Sequence, residues 1–509
     1  MTIRRARTVL IGIDSASADL LCAGCDEGTF PNLAALRDQG AWGTVGGLPG
    51  FGSGALWPSV SSGVTPAKHG RYFYKQFNPA SYQVEPFHPS HYRATPVWEA
   101  ISAAGGRVAV FDAPQAGLSQ RLNGIQTTDW LVHDVVLGHL VTSPPELAAE
   151  LVGKFGSDPV PKCDLPGGRS AAEHAQLRDQ LVARVGQRAD CTVHYLEREP
   201  WDLLFTTFAE PHCIGHQSWH LRDPAHPMYD AGAAARVGDP VRDVYAAIDA
   251  AIGKIAAAAG RDTDLIVLSA TGMCSNYGGN HLLDEVLRRI ENVQAPRPLA
   301  WMTRSKRAIK QQLPRRLRQR WRRMVNDVEE AASRADRARR SYFAVPHNDL
   351  AGAIRVNLAG REARGCVAPG PTYDTLFAQL RHDLLQIRNL DTGRPAITDV
   401  LRTDQLCQGA KLADMPDFFV MWNREAPIDR VFSPTIGTVD LAHRGNRSGD
   451  HTPDSVFFAA GPSVARGRID DVSLLDFAPT LAARHGVALP DADGRVIPGL
   501  ALRDDERAA

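Results

Sequence analysis

Three histidines of this chain are candidate ligands for a metal ion. His212 and His216 lie four residues apart in FAEPHCIGHQSWH, directly after the apolar run DLLFTTF, and His451 precedes the apolar run SVFFAA near the other end of the chain. Three neutral imidazoles around one point leave a fourth position open, which is the ligand arrangement of catalytic zinc sites. Because the chain has 17 histidines, ordinary hydrogen-bonded loop histidines are the alternative interpretation.

A serine-rich stretch offers a candidate nucleophile. In GFGSGALWPSVSSGVTPAKHG, residues 50–70, Ser53 stands alone among glycines, where the backbone can approach a bound ligand closely. The stretch fits neither the GxSxG nucleophile elbow nor a Walker loop. From the residues alone, a nucleophile and an ordinary turn serine are both open for Ser53.

The elements that must position these residues are strands alternating with helices. The apolar runs 9–13, 107–112, 202–208 and 264–269 are typical of buried strands, and helical patterns closed by glycine separate them. This alternation predicts a parallel sheet covered on both faces, with its site at the carboxyl ends of the strands.

Several polar residues directly follow these strands and are therefore predicted to share one rim of the sheet. They include Asp14, Glu210 and His212. Asp14 could bind a hard cation or cap the helix that follows it.

The bulk composition is that of an ordinary globular protein. The 509 residues are 44% hydrophobic, and the 57 basic residues balance 57 acidic ones, so no specific nucleic-acid partner is predicted. No window of about 18 apolar residues predicts a transmembrane segment. The eight scattered cysteines indicate a reduced, cytoplasmic protein. The segment 304–323 holds ten basic residues and no acid, which indicates a solvated helix face or an anionic partner.

Taken together, several long stretches resemble the alkaline phosphatase superfamily, in its type I phosphodiesterase/nucleotide pyrophosphatase branch. VLIGIDSASADLL is similar to the opening strand and metal-binding aspartate, and FPNLAALRDQGAWGTV with WPSVSSGVTPAKHG is similar to the next two signatures. The resemblance covers nearly the whole chain. It implies an α/β fold with a mostly parallel sheet sandwiched by helices, and an inserted α/β cap that bears the basic helical element. The expected boundaries are a core over 1–290, a cap over 291–409 and the rest of the core over 410–509.

The same resemblance assigns roles to individual residues. In the family, the nucleophile lies a fixed distance before the glycine of a TG pair. Gly63 matches that glycine, and the same distance before it places the nucleophile at Ser53. The expected ligands of the first metal are His212, His216 and His451. The family usually has an aspartate at the position of His212. The second metal would take Asp14 and Ser53, which are also the two residues with an expected catalytic role.

The second metal site departs from the family pattern. The family carries an Asp-His pair in SDHGM, whereas this chain reads SATGM, with Ala270 and Thr271 at those positions. Asp14 and Ser53 alone leave a divalent cation two protein ligands. One zinc is therefore expected, and the second site is expected to be empty or weakly filled.

The function implied is metal-dependent hydrolysis of a phosphate ester, with a small anionic ester as the substrate and zinc as the cofactor. The lost pair at 270 and 271 keeps a second possibility open, a non-hydrolytic pseudoenzyme or binding protein that retains the fold and one metal. A third is a sulfatase-like or transfer enzyme in a biosynthetic pathway.

Overall fold

The computed structural model describes residues 7–88, 91–164, 168–294, 328–348, 350–443 and 445–501. The basic segment 304–323 lies outside these residues. The chain divides into two units: the second contains Phe73–Phe87 and Tyr277–His443, and the first contains the rest.

The bounds of the secondary structure, for the described residues, are as follows. The strands are β1 (Arg7–Ile13), β2 (Ala41–Gly46), β3 (Lys75–Phe77), β4 (Val84–Pro86), β5 (Val108–Phe111), β6 (Gly124–Thr128), β7 (Val141–Ser143), β8 (Leu203–Phe208), β9 (Thr263–Ser269), β10 (Gly272–Ser275), β11 (Tyr342–Val345), β12 (Ala351–Val356), β13 (Arg388–Asn389), β14 (Ile397–Arg402), β15 (Phe418–Trp422), β16 (Arg430–Ser433), β17 (Gly437–Asp440), β18 (Gly449–Thr452), β19 (Ser455–Ala460), β20 (Gly467–Arg468) and β21 (Val472–Ser473). The α-helices are α1 (Ala18–Asp26), α2 (Pro31–Gln39), α3 (Ser53–Ser62), α4 (Pro66–His69), α5 (Val97–Ala103), α6 (Leu147–Phe155), α7 (Ala171–Arg198), α8 (Glu210–Ser218), α9 (Ala231–Val237), α10 (Pro240–Ala259), α11 (Asn280–Ile290), α12 (Pro371–Leu385), α13 (Thr403–Leu406) and α14 (Phe477–Arg484).

The first unit is built on a ten-stranded sheet with the order β20-β2-β19-β9-β1-β8-β5-β6-β7, and β21 also pairs with β2. The strands from β9 to β6 run parallel, whereas β19 and β7 pair antiparallel with their neighbours. The four apolar runs predicted as buried parallel strands are β9, β1, β8 and β5, adjacent in the middle of this sheet. The predicted mostly parallel α/β architecture is confirmed.

Both faces of the sheet are covered by helices. On one face, Val9 and Ile11 of β1 belong to a buried core that also contains apolar residues of α7 and α10. On the other, the ring of Phe205 in β8 lies 6.4 Å from Trp57 of α3 and 5.8 Å from Trp98 of α5, measured between centroids. Because alternate side chains of a strand point to opposite faces, burial on both sides requires the continuous apolar runs seen in the sequence.

The second unit has its own antiparallel sheet, with the order β11-β12-β15-β14, and a three-stranded sheet of β13, β16 and β17. Its core joins apolar residues of α11 and α12 to the four-stranded sheet.

The apolar run DFFVMW, residues 417–422, falls in the segment 410–509 that the sequence analysis assigned to the core, but it does not join the central sheet. These residues form β15, which pairs antiparallel with β12 and β14 in the second unit. The contacts accordingly place this unit at 277–443 together with 73–87, where the sequence predicted a cap over 291–409. An apolar run indicates that a strand is buried, but it does not indicate which sheet supplies the partners.

A buried arginine ties the end of the first unit to its sheet. Arg484, the last residue of α14, is fully buried, and its guanidinium donates hydrogen bonds to the Asp264 carboxylate and to the Leu500 carbonyl. Its Nε also donates to Thr8 Oγ1 at 3.3 Å. Since Asp264 lies in β9 and Thr8 in β1, one side chain joins the closing helix to two central strands.

We expect Arg484→Ala to lower the free energy of unfolding by about 3–5 kcal/mol, because it leaves the Asp264 carboxylate buried without its positive partner. Denaturant unfolding followed by circular dichroism measures this change. The matched control is Arg468→Ala, which removes an exposed ion pair with Asp470 and should cost less than about 1 kcal/mol. Equal losses in the two variants would contradict a structural role for the buried pair.

Candidate metal centre

The carboxyl ends of the central strands carry the polar residues that the sequence placed there. Asp14 directly follows β1, α8 begins two residues after β8, and Ala270 with Thr271 follows β9. Since β9, β1 and β8 are parallel neighbours, these residues share one rim of the sheet.

The three predicted histidines converge at this rim. His212 and His216 lie one turn apart on α8, and both face His451 of β18. Their ring centroids are 4.7 Å (212–216), 4.9 Å (212–451) and 4.8 Å (216–451) apart, and one ring nitrogen of each lies within 4.8 Å of the others. All three side chains are buried. We call them the histidine cluster.

Hydrogen bonds from outside the histidine cluster set the orientation of two of its rings. His216 Nδ1 donates to the Gly449 carbonyl at 2.7 Å, and His212 Nδ1 lies 2.8 Å from Asp14 Oδ2. With Nδ1 engaged in this way, Nε2 of each ring presents its lone pair, as in metal-ligating histidines held by a carbonyl or a carboxylate. The Nε2 of His216 is buried and has no hydrogen-bond partner among the described residues.

The chemistry of this donor set fits zinc. Burial, together with the charges of Arg447, His212 and His451, holds the pKa of His216 well below its usual value, so its imidazole is neutral and can ligate. An orphaned ring nitrogen in a buried triangle of imidazoles is the arrangement that a tetrahedral cation with one open position requires.

Asp14 connects the histidine cluster to helix α3. Its Oδ1 accepts from Trp57 Nε1 at 2.7 Å and from Ser15 Oγ at 3.1 Å. Burial alone would raise the pKa of Asp14, but the charge and hydrogen bond of His212, with the Trp57 N–H, hold it well below the usual value. The carboxylate is therefore ionised. Gly12 makes room for the indole, because a Cβ there would lie 2.7 Å from the Trp57 ring.

Ser53 is the first residue of α3 and lies one turn before Trp57, on the same face of the helix. Its side chain is buried and makes no hydrogen bond within the described part of the chain. The first N–H groups of a helix have no intrahelical carbonyl to bond, so those of Ser53 and Gly54 are suited to an anion. Arg71 lies next to them, with its Nε donating to the Gly54 carbonyl at 2.8 Å.

Neutral residues occupy positions 270 and 271, where the family resemblance leads us to expect an Asp-His pair. Thr271 Oγ1 lies 3.1 Å from Ser15 Oγ, and Ala270 is fully buried. Ser15 itself has a φ of 59°, a left-handed conformation that is costly for a serine and typical of functional sites. These groups leave the neighbourhood of Asp14 without a further charged ligand from positions 270 and 271.

The structure also places residues at this rim that the sequence did not single out. His133, in the loop after β6, has its ring centroid 4.1 Å from that of His212. Cys213 of α8 contacts His133 and Cys163. The hydrogen bond from Cys163, with the charges of Arg184 and His133, holds the pKa of Cys213 well below that of an ordinary cysteine. No spacing in the sequence points to His133, because the strand that precedes it was not predicted and only the fold brings this loop to the rim.

The central, mostly parallel sheet and its two helix layers define an α/β protein with an alkaline-phosphatase-like fold. More particularly, the model of the type I phosphodiesterase / nucleotide pyrophosphatase family matches residues 8–426, and the chain belongs to this family. This membership supports phosphoester hydrolysis as the class of reaction. A search of curated proteins found no match.

Solved structures share this fold at low sequence identity. Phosphonoacetate hydrolase from Sinorhizobium meliloti 1021, in complex with phosphonoacetate, superposes with a TM-score of 0.54 at 13% identity, covering 94% of this chain and 96% of that one. An inactive variant of murine ectonucleotide pyrophosphatase/phosphodiesterase 5, in complex with AMP, gives a TM-score of 0.51 at 12% identity, covering 96% and 97%. At such identities the similarity establishes the fold. Among the described residues, no helix has the length and apolar character needed to cross a bilayer.

Proposed function

We propose that this chain is a metal-dependent hydrolase of phosphate esters, with zinc on the histidine cluster and Ser53 as the nucleophile. One observation carries the proposal. Trp57, on the same helix as Ser53, donates to Asp14, and Asp14 is hydrogen-bonded to His212. The helix that begins at Ser53 is thus joined through Trp57 and Asp14 to the histidine cluster, which supports a nucleophile and metal ligands acting at the same rim of the sheet.

In the proposed reaction, Ser53 Oγ attacks the phosphorus, the bond to the leaving oxygen breaks, and water then hydrolyses the phosphoserine. When bound, zinc supplies a Lewis acid that withdraws charge from the ester oxygens. The N–H groups of Ser53 and Gly54 at the start of α3 stabilise the negative charge on the non-bridging oxygens of the phosphoryl group. The serine proton passes to solvent, since Ser53 has no hydrogen-bonded base among the described residues.

Asp14 and Arg71 contribute charge to this mechanism. The low pKa of Asp14 makes it a weak proton acceptor, so a role as a carboxylate beside the metal ligands suits it better than a role as a general base. Burial lowers the pKa of Arg71 to about 10, which still leaves its guanidinium protonated at neutral pH. A cation beside the start of α3 favours a small anionic substrate, and it would attract a sulfate ester as well as a phosphate ester.

A cytoplasmic location remains a prediction from the cysteine content.

One observation favours the second candidate, a non-hydrolytic binding protein that keeps the fold and one metal. Both carboxylate oxygens of Asp14 already have partners, and none of these is Ser53. Together with the neutral residues at 270 and 271, this arrangement leaves the serine hydroxyl without an activating group among the described residues. Such a pocket would bind an anionic ester without cleaving it.

Turnover of model esters tests the proposal. We expect the protein loaded with one or more zinc ions to hydrolyse an aryl phosphodiester or an aryl phosphomonoester, and to lose this activity on dialysis against a chelator. Aryl sulfate, phosphonoacetate and AMP complete the panel, with the release of phenol, sulfate or phosphate as the readout. Turnover of the aryl sulfate alone would indicate that the protein is a sulfatase and not a phosphoesterase. A zinc-loaded protein that cleaves none of the panel would be the binding protein instead.

A further inference from the structure

A second group of metal-ligating side chains lies beside the histidine cluster and takes no part in the proposed hydrolysis. His133 follows β6, Cys163 lies in the segment before α7, and Cys213 is on α8. One donor atom from each lies within 4.8 Å of the other two. The cysteines are 5% and 0% exposed, and the His133 side chain is 7% exposed. We call these three residues the cysteine cluster.

The imidazole of the cysteine cluster directs one nitrogen at both sulfur atoms. His133 Nδ1 lies 2.8 Å from Cys163 Sγ and 3.4 Å from Cys213 Sγ. Its other nitrogen, Nε2, lies 3.5 Å from Asp134 Oδ1, and Asp134 in turn accepts from Gln115 Nε2 at 2.7 Å. A carboxylate beside Nε2 favours the proton on that nitrogen and leaves the Nδ1 lone pair facing the sulfurs, as in carboxylate–histidine–metal triads.

The separations of these donor atoms are close to those of a zinc site. Tetrahedral zinc with Zn–S bonds of about 2.3 Å and Zn–N bonds of about 2.0 Å keeps its ligand atoms roughly 3.5–3.8 Å apart. The two nitrogen–sulfur separations would therefore open by less than about 1 Å when a metal replaces the hydrogen bonds.

A buried positive charge supports the thiolate form that a metal requires. Arg184 is fully buried, and its Nη2 donates to Cys213 Sγ at 3.4 Å. Its Nε donates to Glu210 Oε1 at 2.7 Å. The other oxygen of that carboxylate, one helical turn before Cys213, is buried without a hydrogen-bond partner among the described residues. Two sulfurs and one imidazole form a soft donor set, which selects zinc over magnesium or calcium.

We propose that His133, Cys163 and Cys213 bind a second zinc ion next to the histidine cluster. The two sites adjoin, because the rings of His133 and His212 have centroids 4.1 Å apart. Three protein ligands leave a fourth position open at this site as well. The proposal requires only the donor atoms, so it does not depend on whether the protein hydrolyses esters.

Metal analysis and cobalt substitution of the full-length protein test this assignment. Protein purified without chelator should contain two zinc ions per chain, and the double variant Cys163→Ser/Cys213→Ser should contain one. After exchange into Co²⁺, the wild type should show the sulfur-to-cobalt charge-transfer absorption in the near ultraviolet. This absorption should persist in His216→Ala, which alters only the histidine cluster, and disappear in the double variant.

The control variant is Cys191→Ala, which removes a buried thiol of α7 and should keep two zinc ions and the absorption. Thiol titration of the unfolded, unreduced protein adds a second readout. Wild-type protein with a single zinc and no charge-transfer absorption would overturn the proposal. Loss of two titratable thiols relative to reduced protein would also overturn it, because the two cysteines would then form a disulfide.

Discussion

Replacing Ser53 with alanine is expected to lower kcat for ester hydrolysis by on the order of 10³-fold or more, while the zinc content stays that of the wild type. The side chain makes no hydrogen bond among the described residues, so its removal should not weaken the start of α3. The loss would therefore report on chemistry and not on folding. Steady-state kinetics with the best substrate of the ester panel, alongside metal analysis, measures both quantities.

Two control variants sharpen this result. Ser53→Thr retains a hydroxyl and should keep a substantial part of the activity. Ser61→Ala removes a hydroxyl of the same helix that is bonded to the Pro58 carbonyl, and it should leave kcat within a few-fold of the wild type. Full activity in Ser53→Ala would show that hydrolysis proceeds without this nucleophile.

The second large effect is expected for His216→Ala, which should lose one zinc ion per chain and, with it, ester hydrolysis. The Nε2 of His216 is buried without a partner and its Nδ1 is fixed by the Gly449 carbonyl, so this ring is already oriented to ligate. Removing a direct ligand should weaken metal binding by more than the roughly 10–100-fold that loss of an outer hydrogen bond costs. Elemental analysis and competition with a zinc indicator measure the change.

His139→Ala is the matched control, because this histidine is exposed in the loop that follows β6. It should keep the zinc content and the activity of the wild type. Thermal unfolding of both variants separates loss of metal from loss of structure. An unchanged zinc content in His216→Ala would remove the histidine cluster from the proposed mechanism.

The central sheet could be predicted from the sequence because strands buried on both faces consist of apolar residues. Strands such as β1 and β8 are covered on both faces and therefore appear as continuous apolar runs between helical patterns. The same signal failed for β15, since DFFVMW is equally apolar but pairs with β12 and β14. Burial can be read from residue types, whereas the choice of partner depends on contacts between distant segments.

The site residues differ in the same way: some could be predicted from local spacing, and others depend on contacts between distant segments. His212 and His216 are one helical turn apart, so their spacing indicated a common face, and the family resemblance supported His451 as the third ligand. His133 and Cys163 come from separate loops, and no spacing links them to α8. The role of Trp57 was hidden for a similar reason, because its hydrogen bond to Asp14 depends on the packing of α3 over Gly12.

The contact of Trp57 with Asp14 has a consequence for how the protein responds to metal supply. The indole and the Gly449 carbonyl hold Asp14 and His216 in place, so the proposed ligands are oriented by contacts within the chain and not by an ion alone. The chain differs in this from small zinc domains, which fold only as they bind metal. If zinc binds as proposed, we therefore expect a folded pool without metal to persist and to be loaded when zinc is supplied. The active fraction would then follow the concentration of free zinc in the cell, and not the rate at which the chain is synthesised.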